Sequence, residues 1–183
     1  MNTEPRESQP IANEPSTLAE AAERAETPAA LPWSEVLPYL ARADAFWLAT
    51  ADGGGHPRLR PLFAVLTDGY LHFSSSPRAQ KAKNLGTEPR CALAAHTDDF
   101  DLIVEGTTRR VTDADDLERV AASYRDKYEW PVTVVGDAMD APYGAPTAGP
   151  PPYAVFRVLP SRAYAIGITE GTNARSTRWR FST

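Results

Sequence analysis

The sequence has little with which to build a covalent or metal-held framework. A single cysteine, Cys91, leaves no intramolecular disulfide, and inside the apolar run CALAA it reads as a small buried hydrophobe rather than a nucleophile. The three histidines, His56, His72 and His96, stand far apart without HxxH, HExxH or Cys/His spacing, so no metal site is expected. No run approaches the about 18 consecutive apolar residues of a membrane helix. The opening MNTEPRESQP has neither the basic start nor the apolar centre of a secretory signal, so a cytoplasmic location without membrane contact is expected. A GxSxG elbow, a Walker loop and a GxGxxG following a strand are also missing, which removes the common hydrolase, NTPase and Rossmann readings. What is present is 183 residues with 42% hydrophobic and 23% charged content, ordinary globular usage and enough chain for one core.

Charge is uneven along the chain. Residues 1–30 hold six Glu and two Arg, which accounts for most of the formal net charge of -5. Residues 57–90 carry six Lys/Arg against Asp68 and Glu88, and residues 157–183 carry five Arg against Glu170. Residues 98–119 run the other way, with eight acids and three Arg. Such local basic stretches suit a small anionic ligand better than nucleic acid, which needs positive charge spread over a face.

Residues 1–30 lack Trp, Phe, Tyr and Val and are punctuated by Pro5, Pro10, Pro15 and Pro28. Little apolar burial is then on offer against the entropy of ordering, and a disordered acidic tail is expected, followed by one folded domain over 31–183. Helices are expected from Ser34 as N-cap, with Pro38 in the first turn, over Pro77–Leu85 with Gly86 as C-cap, and over Ala114–Tyr128 with Asp113 as N-cap. Period-two runs predict strands at Ala45–Ala51, Arg58–Leu66, Tyr70–Ser75, Cys91–His96, Leu102–Val111, Tyr153–Leu159, Ala163–Ile168 and Thr177–Phe181, with DGGG as a hairpin tip. Residues 131–152 contain six prolines and no basic residue, which predicts a long loop: a lid, a partner-wrapping segment or disorder. The sum is an α+β barrel with closed edges.

No side-chain constellation supplies a reaction by itself, which points to a bound cofactor. The residues best suited to hold one are Arg60 on its strand, Ser74, Ser75 and Ser76 at the end of the paired strand, and Arg78, Lys81 and Lys83 just downstream. Hydroxyls, fixed positive charge and a helix start are what a phosphate needs. The same lysines also read as a solvated helix face.

The stretch AFWLATADGGGHPRLRPLFAVLTDGYLHFSSSPRAQKAKNLGTEPRCALAA, followed by DLIVEGTTRRVTD, resembles the pyridoxamine 5'-phosphate oxidase-like family, including its actinobacterial flavin and deazaflavin members. The resemblance implies an α+β, mainly antiparallel six-stranded split β-barrel with flanking helices, homodimeric, with FMN or F420 in a groove between subunits. It implies that Arg60 and Lys81 bind the cofactor phosphate, with Ser75 as a hydroxyl contact and Ser76 and Lys83 beside them. It also places Pro61, Leu62 and Phe63 along the ring edge. Trp179 would cover the ring, although an aromatic in a terminal strand also reads as packing. Two departures count against vitamin B6 oxidation: Gln80 stands where those oxidases have an Arg, and TRWRFST lacks their C-terminal Arg-Leu-x-Pro pattern. The implied function is hydride transfer between FMN or F420 and a small organic substrate; a flavin- or haem-binding module without turnover is the alternative.

Overall fold

The computed structural model describes residues 3–11, 29–144 and 149–182. In chain order the elements are β1 (Glu7–Pro10), α1 (Trp33–Arg42), β2 (Phe46–Ala51), β3 (Pro57–Leu62), β4 (Ala64–Thr67), β5 (Tyr70–Ser75), α2 (Gln80–Thr87), β6 (Arg90–His96) and β7 (Phe100–Val111). They continue with α3 (Ala114–Tyr128), β8 (Thr133–Val135), β9 (Ala138–Asp140), β10 (Ala154–Gly167), a 3₁₀ turn at Asn173–Arg175 and β11 (Thr177–Arg180). The helices and mainly antiparallel strands make an α+β fold. None of the described helices is long and apolar enough to cross a membrane.

Strand order is β1-β11-β10-β7-β6-β2-β3, with β5 paired to β10 and β4 paired to β5. β10 organises this arrangement. One edge lies along β7 for its whole length, while the other pairs with β5 through Ala154–Arg157 and with β11 through Arg162–Ala165. The register shifts between Pro160 and Arg162, where the strand bends from one partner to the next. Gly106 sits opposite, and a Cβ there would meet the Leu159 carbonyl oxygen at 2.1 Å, so only glycine admits the bend. The two strands expected over 153–168 are therefore one. Among the described residues the hydrogen-bonded ladder is not a closed ring, which corrects the expectation of closed edges: β1 and β3 end the path, and β4 pairs with β5 alone.

The strand expected over Arg58–Leu66 breaks at Phe63. Its first part pairs with β2 and its second with β5, so the chain changes partner there. Helix α3 satisfies the backbone exposed by the break. The Tyr124 hydroxyl donates to the Phe63 carbonyl at 3.1 Å, and the Tyr128 hydroxyl and Lys127 Nζ donate to the Ala64 carbonyl at 2.9 and 3.0 Å.

Two apolar clusters flank the sheet. The larger takes Trp33, Val36 and Leu40 of α1 against Phe46, Leu48, Phe73, Leu93, Phe100, Leu102 and Trp179. Trp33 lies edge-on to Trp179 at 5.3 Å and to Phe181 at 5.2 Å. This packing draws the helix start back to Trp33, with Pro32 rather than Ser34 at the cap position and Pro38 inside the helix. The smaller cluster buries Leu117, Val120, Ala121 and Tyr124 of α3 against Val65, Val111, Trp130, Met139 and Tyr153. Asp113 caps α3 as expected, its carboxylate accepting from the Asp116 amide at 3.0 Å.

Parts of two segments expected to be irregular hold strands. Within the segment expected to be a disordered tail, Glu7–Pro10 pairs antiparallel with β11, Glu7 opposite Arg180 and Pro10 opposite Thr177. Backbone pairing at an open edge needs no apolar side chain, so composition is silent about it. Residues 12–28 lie outside the described residues. The Pro-rich segment holds the β8–β9 hairpin, anchored by buried Val132 and Met139, while residues 145–148 lie outside the described residues.

Candidate functional site

Beside the β2–β3 hairpin lies a cleft of about 400 Å³ lined by Leu48, Thr50, Asp52, Arg58, Arg60, Gln80, Lys81 and Asn84. Strand alternation builds its first wall. Leu48 pairs with Arg60 and Thr50 with Arg58, so these four side chains rise from one face of the hairpin. Helix α2 supplies the opposite wall through Gln80, Lys81 and Asn84, the first and last one turn apart. The helix begins at Gln80 and continues through Gly86 to Thr87, later than expected at both ends.

The electrostatics of the cleft favour an anion. Arg58, Arg60 and Lys81 face a single carboxylate, Asp52, which leaves two positive charges in excess. Asp52 is already committed. It accepts from Arg58 Nη2 at 2.8 Å and from the Gly54 and His56 amides at 3.0 Å each. The Arg58 bond, followed by those from His56, holds its carboxyl well below the usual carboxylate range. Arg60 donates through Nη1 to the Leu59 carbonyl at 2.7 Å. Lys81 is only 6% exposed. Burial, and then the Arg60 charge across the cleft, lowers its pKa, so two cations are held together at a cost that a bound anion would relieve. This donor set, two cations with neutral hydrogen-bonding groups around them, fits a phosphate.

Of the residues expected to bind cofactor, the structure brings Arg60 and Lys81 together and leaves the others outside the cleft. Ser75 is fully buried on β5 and donates to the Ser76 carbonyl at 3.3 Å. Ser76 is buried against Gly149, where a glycine Cβ would meet its Cβ at 3.0 Å. Ser74 is spent on the Tyr124 hydroxyl, and Lys83 and Arg78 are exposed beyond the lining. Pro61, paired with Trp47, lies on the sheet face opposite Arg60, and Leu62 points into the larger cluster. Phe63 stacks on Tyr128 at 4.3 Å. Trp179 is fully buried, its indole N–H donating to the Leu31 carbonyl at 3.1 Å, so it packs the core and does not reach the cleft.

Sequence reasoning missed Thr50, Asp52, Arg58, Gln80 and Asn84. A signal existed. Once Arg60 is placed, alternation puts Arg58 beside it, hairpin register puts Thr50 opposite, and Lys81 brings its helical neighbours Gln80 and Asn84.

The reverse face of the same hairpin is apolar. Trp47 and Leu59 are 48% and 52% exposed, with Pro61, Ala49, Ala92 and Ala94 around them by strand register. Next to it a shallow hollow of about 430 Å³ is floored by Ala49, Ala51, Ala92 and Gly106. Cys91 borders this hollow, but burial pushes its thiol up to about 12, which leaves it inert at neutral pH.

Comparison with known proteins agrees with this architecture. No curated protein matches the chain. Among solved structures, the conserved hypothetical protein Rv2991 from Mycobacterium tuberculosis superposes with a TM-score of 0.58 at 20% identity, over 76% of this chain and 88% of that one. A haem-binding protein from Mycobacterium smegmatis superposes with a TM-score of 0.54 at 15% identity, over 80% of this chain and 62% of that one. A putative pyridoxamine 5'-phosphate oxidase from Listeria innocua gives 0.54 at 15% identity, over 73% and 96%. At these identities the likeness is one of fold. The family model described as pyridoxamine 5'-phosphate oxidase matches residues 33–167, from the start of α1 to the end of β10 and across both walls of the cleft; the chain belongs to that family.

Proposed function

We propose that this protein is a flavin- or deazaflavin-dependent oxidoreductase that holds FMN or F420 by its phosphate in the Arg60–Lys81 cleft and acts on a small organic substrate. The observation that carries the reading is the meeting of Arg60 and buried Lys81, 21 residues apart on a strand and a helix, in one cleft with excess positive charge. When bound, the cofactor would supply the hydride chemistry. The chain's own residues bind and orient. Arg60 and Lys81 neutralise the phosphate, and Arg58 stays tied to Asp52 on the same cleft wall. No side chain is assigned a proton-transfer role.

The apolar reverse face supports a homodimer. Exposed Trp47 and Leu59 on one strand pair form a patch that a second copy would bury, bringing two hollows to a shared interface.

The test is purification from a host that makes both FMN and F420, followed by the absorption spectrum and mass of the released ligand. The ligand-loaded protein is then chemically reduced under anaerobic conditions and mixed with candidate acceptors. Release of FMN or F420, and its oxidation coupled to loss of a second substrate, supports the proposal. Release of haem, or of a flavin that no acceptor oxidises, assigns the chain to the binding modules instead.

A further inference from the structure

We propose that Thr50, oriented by Gln80 and Asn84, is the hydroxyl that donates to the phosphate, in place of the serines at the end of β5. The inference rests on the cleft reading above and adds a residue to it. Thr50 lines the cleft from β2, opposite Arg58, and is 6% exposed. Its Oγ1 accepts from Asn84 Nδ2 at 3.0 Å, and Asn84 Oδ1 accepts in turn from Gln80 Nε2 at 2.8 Å.

The chain has a direction. An amide donates only through nitrogen and accepts only through oxygen, so with Gln80 Nε2 donating to its Oδ1, Asn84 turns Nδ2 towards Thr50. The Thr50 oxygen is thereby engaged as an acceptor, and its own proton is left to point into the cleft it lines. Donation runs from Gln80 through Asn84 to Thr50 and ends at the place where Arg60 and Lys81 concentrate positive charge. A hydroxyl already receiving a hydrogen bond is a better donor, and holding it in one rotamer beforehand removes an ordering cost on binding.

This arrangement also gives the departure at position 80 a role. A neutral amide there adds no third charge to the pair formed by Arg60 and Lys81; it starts the donor chain instead. Ser75 is unsuited to the task, since it is fully buried and its hydroxyl is spent on the Ser76 carbonyl.

The experiment titrates the full-length protein with inorganic phosphate, following the amide signals of the cleft, and compares wild type with Thr50→Val, Thr50→Ser, Gln80→Met and Lys81→Met. The melting temperature of each is recorded alongside. Thr50→Val is expected to weaken phosphate binding about tenfold, the size of one hydrogen bond to a charged group. Thr50→Ser should restore it to within about twofold, because the donor returns. Gln80→Met should weaken binding by a smaller factor without moving the melting temperature. Equal losses in Thr50→Val and Thr50→Ser would assign Thr50 to packing and overturn the proposal. Loss in Lys81→Met with none in Thr50→Val would also overturn it, while leaving the cleft reading intact. Unchanged binding in both Lys81→Met and Thr50→Val would remove the cleft reading and Thr50 with it.

Discussion

Replacing Lys81 by methionine separates what the residue does for the ligand from what it does for the fold. Methionine keeps most of the aliphatic stem that packs beneath the cleft and removes the ammonium. In the free protein that ammonium is disfavoured twice, by burial and by the Arg60 charge, so the variant is expected to melt no lower than wild type. With a phosphate-bearing flavin the sign reverses. A hydrogen bond between charged groups contributes about 1.5–3 kcal/mol, so the dissociation constant should rise by a factor of roughly 10 to 150. Riboflavin, which lacks the phosphate, should bind both proteins alike. Proton linkage adds a second signature. A bound anion raises the pKa that burial and Arg60 have lowered, so wild-type affinity declines as pH climbs through the lowered value in the free protein. On the acid side affinity grows as the phosphate becomes a dianion near its second pKa of about 6. Lys81→Met should keep the acid limb and lose the alkaline one. Isothermal titration with riboflavin 5'-phosphate and riboflavin across pH reads all of this. Equal affinity of both proteins for the phosphorylated ligand, or equal losses for both ligands, would refute the assignment.

Three further outcomes are expected. His72 is fully buried, with Nδ1 bonded to the Tyr70 carbonyl and Nε2 accepting from Arg157 Nε at 3.0 Å. Burial, then Arg157, lowers its pKa from 6.5 to about 4. The unfolded chain then binds a proton that the folded one refuses, so stability falls as pH drops from 6.5 towards 4, by about 3 kcal/mol in total, and no further below. Thermal melts of His72→Gln should show a shallower acid slope than wild type, and parallel slopes would contradict this. Deleting residues 1–11 should speed amide exchange across Thr177–Arg180 by uncovering the β11 edge, and unchanged exchange would mean that β1 does not pair in solution. Trp47→Asp with Leu59→Asp should give a folded monomer by sedimentation, whereas a persisting dimer would place the interface elsewhere.

Much of the fold was legible because most strands carry their own signal. The alternation of buried and open positions along Phe46–Ala51, Arg90–His96 and Phe100–Val111 is a local property, and so is the apolar face of α3 with Asp113 at its cap. What escaped the sequence depends on partners distant along the chain. The break at Phe63 is paid for by tyrosines on a helix some 60 residues later. The bend in β10 is permitted by Gly106 on the neighbouring strand. β1 pairs through its backbone, and no composition reveals an open edge elsewhere.

The site followed the same division. Arg60 and Lys81, which line one cleft, stand out in the sequence because both are charged and flank a hairpin and a helix start. β5 is buried at every position, so alternation gives no hint of which of its hydroxyls could face a cleft, and none of the three serines lines this one. Thr50 sits in the apolar run AFWLATA, which advertises packing rather than binding, and only the β2–β3 register shows that it stands opposite Arg58. Trp179 attracted attention as a large terminal aromatic, yet its indole N–H closes on the Leu31 carbonyl inside the core.

The central claim is that the cleft between the β2–β3 hairpin and α2 receives a phosphate. A crystal structure of the protein with riboflavin 5'-phosphate tests it most directly. The phosphorus is predicted to lie in the cleft, with Lys81 Nζ, the Arg60 guanidinium and Thr50 Oγ1 all within hydrogen-bonding distance of its oxygens. A flavin whose phosphate lies elsewhere, with Arg60 and Lys81 touching only water, would contradict the account.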